Sequence, residues 1–394
     1  MNHVVVVGAG LAGVRSVEAL RARGFAGTIT LMGEEAHRPY DRPPLSKSVL
    51  LGETDSTVVD SDLDALEVDF RPGVAAKGLR PGVVETTEGE VAYDGLVIAT
   101  GARPVRLRGD GEQHVLRTID DALALRERLV AGVRVAVIGA GWIGAEVATA
   151  AHRAGCEVTV VEAADLPLSQ ALGAVGGHTA RWYEQAGVEL RLGVQVASVD
   201  HDGLTLADGS RVRADVVVTG VGVRPAVEWL AGSGVELDNG VVTDEHLRTS
   251  LPGVVAVGDC AAWWSRRYDR RLRVEHWDTA LGAPEVAVAA LMGGDAVYDP
   301  VPYFWSEQFG HMVQYAGHHD DGNDGERLVL RGDPEDGSRW GACWVRGDGR
   351  LAAVLAVNRP RDLLQGRRLI EGGQRLDAVR LADPAVALRD CTVA

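Results

Sequence analysis

The feature that most constrains this chain is that it repeats itself. Residues 4–24, VVVVGAGLAGVRSVEALRARG, align without a gap on residues 135–155, VAVIGAGWIGAEVATAAHRAG. Each copy reads as an apolar strand, a glycine turn and a helix. The turns are Gly8, Gly10 and Gly13 in the first copy and Gly139, Gly141 and Gly144 in the second. In such a turn the first glycine makes the bend, the second lets a pyrophosphate approach the backbone, and the third lets helix lie against strand. The phosphates then meet unpaired N–H groups at the positive end of the helix. Each copy runs on into a second strand that ends in an acid, Glu34 in TITLMGE and Glu162 in EVTVVE, where a carboxylate can accept hydrogen bonds from ribose hydroxyls. The repeat predicts two dinucleotide sites.

The sites are expected to differ in ligand. Glu162 is followed by AADLP, which offers no lysine or arginine to a 2′-phosphate that Glu162 would itself repel, so the second site is expected to take NADH rather than NADPH. Its residues are Gly139, Gly141, Trp142, Ile143, Gly144 and Glu162, with Gly220, Val221 and Gly222 from a later turn. Two further strand-then-turn segments, DGLVIATGARP (94–104) and TSLPGVVAVGDCA (249–261), lie on either side of the second copy. The second copy is therefore inserted into the domain of the first, whose site is expected to hold FAD on Gly8, Gly10, Leu11, Ala12, Gly13, Glu34, Ala99, Thr100, Gly101, Gly258 and Asp259. The expected fold is α/β, with two Rossmann-like domains, one inside the other, and a C-terminal α+β domain. Boundaries are placed at 1–107 and 240–310 for FAD, 108–239 for NAD and 311–394 for the last domain. There the alternating runs at 327–332 and 341–358 read as antiparallel hairpins, with helices near 361–371 and 384–390.

A net charge of −16 speaks against a nucleic-acid binder or an anionic-membrane protein. Cys156, Cys260, Cys343 and Cys391 stand far apart, without a CxxC pair or metal-ligand spacing, so reduced thiols and no metal are expected. The opening MNHVVVVGAG is no export signal and no apolar run reaches about 18 residues, which gives a cytoplasmic expectation.

The stretch RPYDRPPLSK (38–47) packs three prolines ahead of Lys47. Among 40 basic residues Lys47 and Lys77 are the lysines, so position 47 is expected to reject arginine. A lysine is a compact charge, whereas a guanidinium is a broad fork that would crowd a ring edge. The prolines fix φ and hold the backbone out of helix or central strand until LSKSVLL begins.

GAGLAG, RPYDRPPLSK, ATGARP, GAGWIGAE, VGDCA, RVEHWDTA (273–280), VPYFWSEQFG (301–310) and LAVNRP (355–360) together resemble the glutathione-reductase-type two-dinucleotide flavoproteins. Within these the chain is most similar to the oxygenase-coupled ferredoxin reductases of the putidaredoxin reductase type. The resemblance implies that Asp259 bonds the flavin's ribityl chain and that Trp277 lies near the isoalloxazine, flanked by Glu275 and His276. It implies further that Arg42, Ala76 and Arg117 touch FAD, that Lys47 sits at the flavin's reactive face, and that Glu146 lies close to Lys47 when nicotinamide is bound. Simpler readings stay open: Asp259 as a helix N-cap, Glu146 as a first-turn acid favoured by the macrodipole, Lys47 on the surface, and His276 and the tryptophans Trp263, Trp264, Trp277 and Trp305 in packing. His311, His318 and His319 show no metal-like pattern.

Disulfide reductases of this architecture carry a cysteine pair near the flavin, and here no cysteine precedes Cys156. Electrons are expected to leave the flavin directly. RRYDRRLR (266–273) and RPRDLLQGRR (359–368) are local reversals of sign, so Arg266, Arg267, Arg270, Arg271 and Arg273 are expected to steer an acidic iron–sulfur ferredoxin, the alternative being solvated loops. The reading is an FAD enzyme that takes hydride from NADH and passes single electrons to a ferredoxin serving a monooxygenase or dioxygenase. Rubredoxin reductase or NADH oxidase is the enzymatic alternative; a redox-controlled interaction flavoprotein is the alternative of another class.

Overall fold

The valine runs form buried parallel strands. In the computed structural model, which describes residues 1–320 and 325–393, His3–Val7 lies between Thr28–Gly33 and Gly95–Ile98, all parallel. Val254–Ala256 and Val68–Pro72 complete a five-stranded sheet. Strand side chains point alternately to opposite faces. Val4 and Val6 accordingly join helices Leu11–Ala22 and Trp277–Leu291 in one core, while Val5 and Val7 face the meander of Ala76–Arg80, Val83–Thr86 and Gly89–Ala92. Both faces are covered, which is why these strands are continuously apolar. Strand neighbours Gly95–Ile98 and Val254–Ala256 are separated in sequence by the second copy, so that copy is an insertion. Residues 1–43, 56–103 and 223–300 make up this unit.

A second unit holds residues 44–55, 104–222 and the chain from 301 onwards. Here Arg134–Ile138 runs in parallel between Glu157–Val161 and Val216–Thr219, with Glu189–Arg191 at the edge. Helix Trp142–Arg153 covers one face and the antiparallel strands Val196–Asp200, Gly203–Leu206 and Arg211–Arg213 the other. Helix Ile119–Arg128 starts at a reciprocal cap between Thr118 and Asp121.

The last part of the chain is an antiparallel sheet ordered Tyr303–Gln308, His311–Gly317, Leu351–Val357, Trp340–Val345, Arg327–Arg331. Its central strands are buried throughout, under helix Pro360–Gly372 on one face and Leu168, Leu172 and Trp182 on the other. That helix opens with proline at its first position and ends on left-handed Gly373. The helix expected at 384–390 is absent. A short helix forms earlier, at Ala378–Ala382, because Asp377 accepts the N–H groups of Val379 and Arg380. Pro384 follows, and Leu388 and Cys391 reach the core from a single 3-10 turn. Buried Arg331 ties this tail down by donating to the carbonyls of Leu381 and Val386 and pairing with Asp362 at 3.3 Å.

Candidate active site

The two glycine turns are nearly superposable in their steric logic. Gly8 and Gly139 adopt φ of +113° and +100°, and a side chain on either would strike the carbonyl of Ala99 or Gly220 respectively. A side chain at Gly13 or Gly144 would collide with the carbonyl of Gly8 or Gly139. At the middle glycines nothing lies within 4 Å of where a Cβ would stand. Gly10 (φ −79°, ψ −171°) and Gly141 (φ −76°, ψ −170°) each cap their helix without a side-chain bond. The first-turn N–H groups therefore have both room and need for an anion, which fits the pyrophosphate of a dinucleotide at each turn. Ala99, Thr100 and Gly101 border the first turn, and Gly220, Val221 and Gly222 follow the strand beside the second.

The acids differ. Glu162 directly follows Val161, and its carboxylate accepts the N–H groups of Ala140 at 2.7 Å and Ala164 at 2.8 Å. In the first copy the matching register position is Gly33, because Met32 pairs with Val7 as Val161 pairs with Ile138. A Cβ on Gly33 would lie 2.7 Å from that of Ala9, so the acid falls one residue later. Glu34 is 57% exposed at its side chain and pairs with Arg103 at 2.6 Å. Its neighbour Glu35, which sequence reasoning passed over, accepts from Arg42 at 2.7 Å and from the Tyr40 hydroxyl. Burial opposes the charge on Arg42, yet Tyr40, Glu35 and Asp259 hold its guanidinium above the usual range.

Asp259 sits in the 3-10 turn Gly258–Cys260, and the Asp259 carbonyl accepts from Arg273, which also pairs with Glu275. Trp277 opens its helix behind the His276 cap and donates from Nε1 to Asp41 at 2.9 Å. Ala76 begins a meander strand. In the other unit Arg117 donates its N–H to Asp121 ahead of helix Ile119–Arg128.

Within the second unit, Lys47 and Glu146 meet directly. Lys47 Nζ lies 2.8 Å from Glu146 Oε2, with the carboxylate almost fully buried and the lysine side chain 21% exposed. Pro43–Ser46 forms a 3-10 turn, and Lys47 and Val49 both donate to the Pro44 carbonyl, so LSKSVLL continues as tight turns. Glu146 is the fifth residue of helix Trp142–Arg153 and lies beyond its first turn, which removes the macrodipole account of an acid there. Two hydroxyls that sequence reading missed complete the setting. Ser46 donates to Glu146 Oε2 and Ser306 to Oε1 at 2.7 Å, while Gln308 Nε2 donates to Ser306 at 3.1 Å. Strand alternation places Ser306 and Gln308 on one face, and this could have been read from WSEQ. Trp142 packs against Phe304 with ring centroids 4.2 Å apart and the ring planes tilted by 40°.

Four cysteines are buried as free thiols. Burial pushes Cys260 up and Cys343 to about 12, so both stay protonated and unreactive. His311 stacks on Trp182 and His319 on Trp344. The arginine run forms a hairpin, Ala261–Ser265 with Arg270–Leu272. Arg271 turns to the carbonyls of Thr243 and Ala262, Arg273 to Asp259 and Glu275, and Arg266 pairs with Glu245 at 2.6 Å while remaining exposed. Among the described residues no helix is long and apolar enough to cross a membrane.

Two nested glycine-turn folds with a lysine paired to a buried glutamate define a two-dinucleotide oxidoreductase. The chain belongs to the pyridine nucleotide-disulphide oxidoreductase family, whose model matches residues 2–289, and a reductase C-terminal model matches residues 303–392. It is 38% identical to the anthranilate 1,2-dioxygenase system ferredoxin–NAD(+) reductase component of Burkholderia cepacia, covering 98% of each chain. The crystal structure of Fdr9 matches with a TM-score of 0.94 at 51% identity, over 98% of this chain and 99% of that one. The putidaredoxin reductase–putidaredoxin complex matches at 0.93 and 32%, over 99% and 98%. Members of this family that reduce ferredoxins use FAD and NADH.

Proposed function

We infer that this chain is an FAD-dependent NADH:ferredoxin reductase supplying electrons to an oxygenase. The observation that carries the reading is that part-buried Lys47 pairs at 2.8 Å with buried Glu146, which stands on the helix that leaves the second glycine turn, in a chain whose cysteines are buried free thiols. A disulphide relay has no thiol to use here. When bound, FAD accepts hydride and releases electrons one at a time, so the protein's tasks are binding, orientation and charge.

For FAD, the reading assigns Gly8, Gly10, Leu11, Ala12, Gly13, Ala99, Thr100, Gly101, Gly258 and Asp259 to the cradle, with Glu34, Arg42, Ala76, Arg117, Glu275, His276 and Trp277 around it. For NADH, it assigns Gly139, Gly141, Trp142, Ile143, Gly144, Glu162, Gly220, Val221 and Gly222. Lys47 stabilises the negative charge of reduced flavin, and Glu146 holds that ammonium in place; the 2.8 Å pair supports this division of labour. The carboxylate of Glu162 between two N–H groups favours ribose hydroxyls over a 2′-phosphate. The reading divides the chain into an FAD-binding domain at 1–107 and from 240, an NAD-binding domain at 108–239, and a C-terminal domain that begins ahead of strand Tyr303–Gln308 rather than at 311, because that strand pairs into the C-terminal sheet. The partner is an acidic iron–sulfur ferredoxin. Of the five hairpin arginines, exposed Arg266 is best suited to meet it, Arg271 and Arg273 being engaged with backbone carbonyls.

Anaerobic titration of the purified holoprotein with NADH and NADPH, followed by its visible spectrum, tests the reading. Rapid bleaching by NADH alone, with the electrons then passing to added ferredoxin faster than to oxygen, is the expected result. Preferred reduction of oxygen would turn the assignment to an oxidase.

A further inference from the structure

Glu146 is an expensive residue to bury, since a carboxylate removed from water must be compensated by partners in good geometry. Lys47 supplies one compensation at Oε2. The other oxygen is served from a distant part of the chain: Ser306 donates to Oε1 at 2.7 Å across 160 positions of sequence. Ser306 is itself fully buried and is held by a donor behind it, Gln308 Nε2, also fully buried. With its lone pair occupied by that amide, the Ser306 hydroxyl has its own proton directed at the carboxylate. Ser46 adds a second hydroxyl on the lysine side. The plane of the Glu146 carboxyl group is thus fixed at both oxygens.

We propose that Ser306, oriented by Gln308, is a positioning residue of the reductase reaction: it shares the charge of Glu146 and so sets how strongly that carboxylate draws on Lys47. The proposal rests on the role given to Lys47 and Glu146 above. A hydroxyl that relieves Glu146 of part of its charge leaves the ammonium more effective toward reduced flavin. Without it the carboxylate leans on Lys47 and Ser46, both at Oε2. Strand Tyr303–Gln308 does not depend on this bond for its place, because Phe309 N–H donates to Thr149 Oγ1 at 3.0 Å and Phe304 packs on Trp142. Cutting Ser306 back to alanine should therefore leave the fold intact.

The test uses the flavin-loaded variants Ser306→Ala, Ser306→Thr and Glu146→Gln, read by flavin midpoint potential and by anaerobic stopped-flow reduction with NADH. Ser306→Ala is expected to move the potential in the negative direction and slow the limiting reduction rate about tenfold, with the NADH dissociation constant changed less than about twofold. Ser306→Thr restores both. Glu146→Gln moves the potential the opposite way, because it removes the charge that restrains Lys47. If Glu146→Gln shifts the potential and Ser306→Ala leaves potential and rate unchanged, or shifts the potential in the same direction as Glu146→Gln, the role of Ser306 is overturned while that of Glu146 stands. If Glu146→Gln itself changes nothing, the underlying reading of the pair has failed. Should Ser306→Ala prove unstable on thermal melting, Ser46→Ala reads the same charge sharing from the other oxygen and is expected to shift the potential negatively as well; no shift there would overturn the charge-sharing argument.

Discussion

The copy at 4–24 and the copy at 135–155 have the same backbone and different side-chain wiring. Both place an open middle glycine at an uncapped helix start, and both use the first and third glycines to let backbone meet backbone. They diverge at the end of the second strand and at the fifth residue of the helix. Glu162 is pinned by two N–H groups, whereas Gly33 must stay small against Ala9 and Glu34 points to Arg103. At the helix position, Arg15 pairs locally with Glu18, whereas its counterpart Glu146 is buried against Lys47, Ser46 and Ser306. The comparison teaches that the glycine turn is a generic anion cradle, and that its use is decided by what the neighbouring positions can bury.

The strongest way to break this comparison is to fill the third glycine of each copy. Gly13→Ala and Gly144→Ala each force a methyl into a carbonyl, at a cost of about 1–3 kcal/mol in stability. Gly13→Ala is expected to purify without flavin absorbance, and Gly144→Ala to keep the flavin yet resist reduction by NADH; the opposite pattern would reverse the nucleotide assignments. Next in size, Lys47→Met leaves the Glu146 carboxylate without its cation. Hydride transfer should slow about a hundredfold, equivalent to about 2.7 kcal/mol, and Lys47→Arg should not restore it. Stopped-flow rates equal to the parent's would remove Lys47 from the chemistry.

A smaller effect separates the two acids. Glu162→Ala is expected to raise the KM for NADH about tenfold with little change in kcat, while Glu34→Ala, exposed and paired at the surface, should weaken FAD binding less than about threefold. Equal effects in the two titrations would mean that the register difference at Gly33 has no functional consequence. Smallest of all, Arg266→Glu should raise the KM for ferredoxin about threefold at low salt, with the difference vanishing as salt is added. A salt-independent change would point to lost packing in the hairpin instead.

Much of the fold was legible because its signals are local. The valine runs, the glycine spacing and the flanking strand-turn segments specify parallel strands and their insertion, and the helix expected near 361–371 forms at Pro360–Gly372. The helix expected at 384–390 failed because burial of Leu388 and Cys391 imitates helical periodicity, while the cap at Asp377 and Pro384 set the true limits. At the candidate site, the nearness of Lys47 and Glu146 was expected only from the family resemblance. Ser306 and Gln308 could not, although the alternation of WSEQ holds the clue.

What the sequence determined alone is everything carried by neighbours along the chain: two anion cradles, the strands around them, and Lys47 behind rigid prolines. These follow from backbone geometry repeating every two or 3.6 residues. Only the tertiary structure decided that Ser46 and Ser306, 100 positions before and 160 positions after Glu146, meet on one carboxylate, and that Arg271 and Arg273 of the hairpin turn to backbone carbonyls. Such meetings depend on which faces bury against each other, and a buried charge accepts only the partners that packing brings within hydrogen-bonding distance.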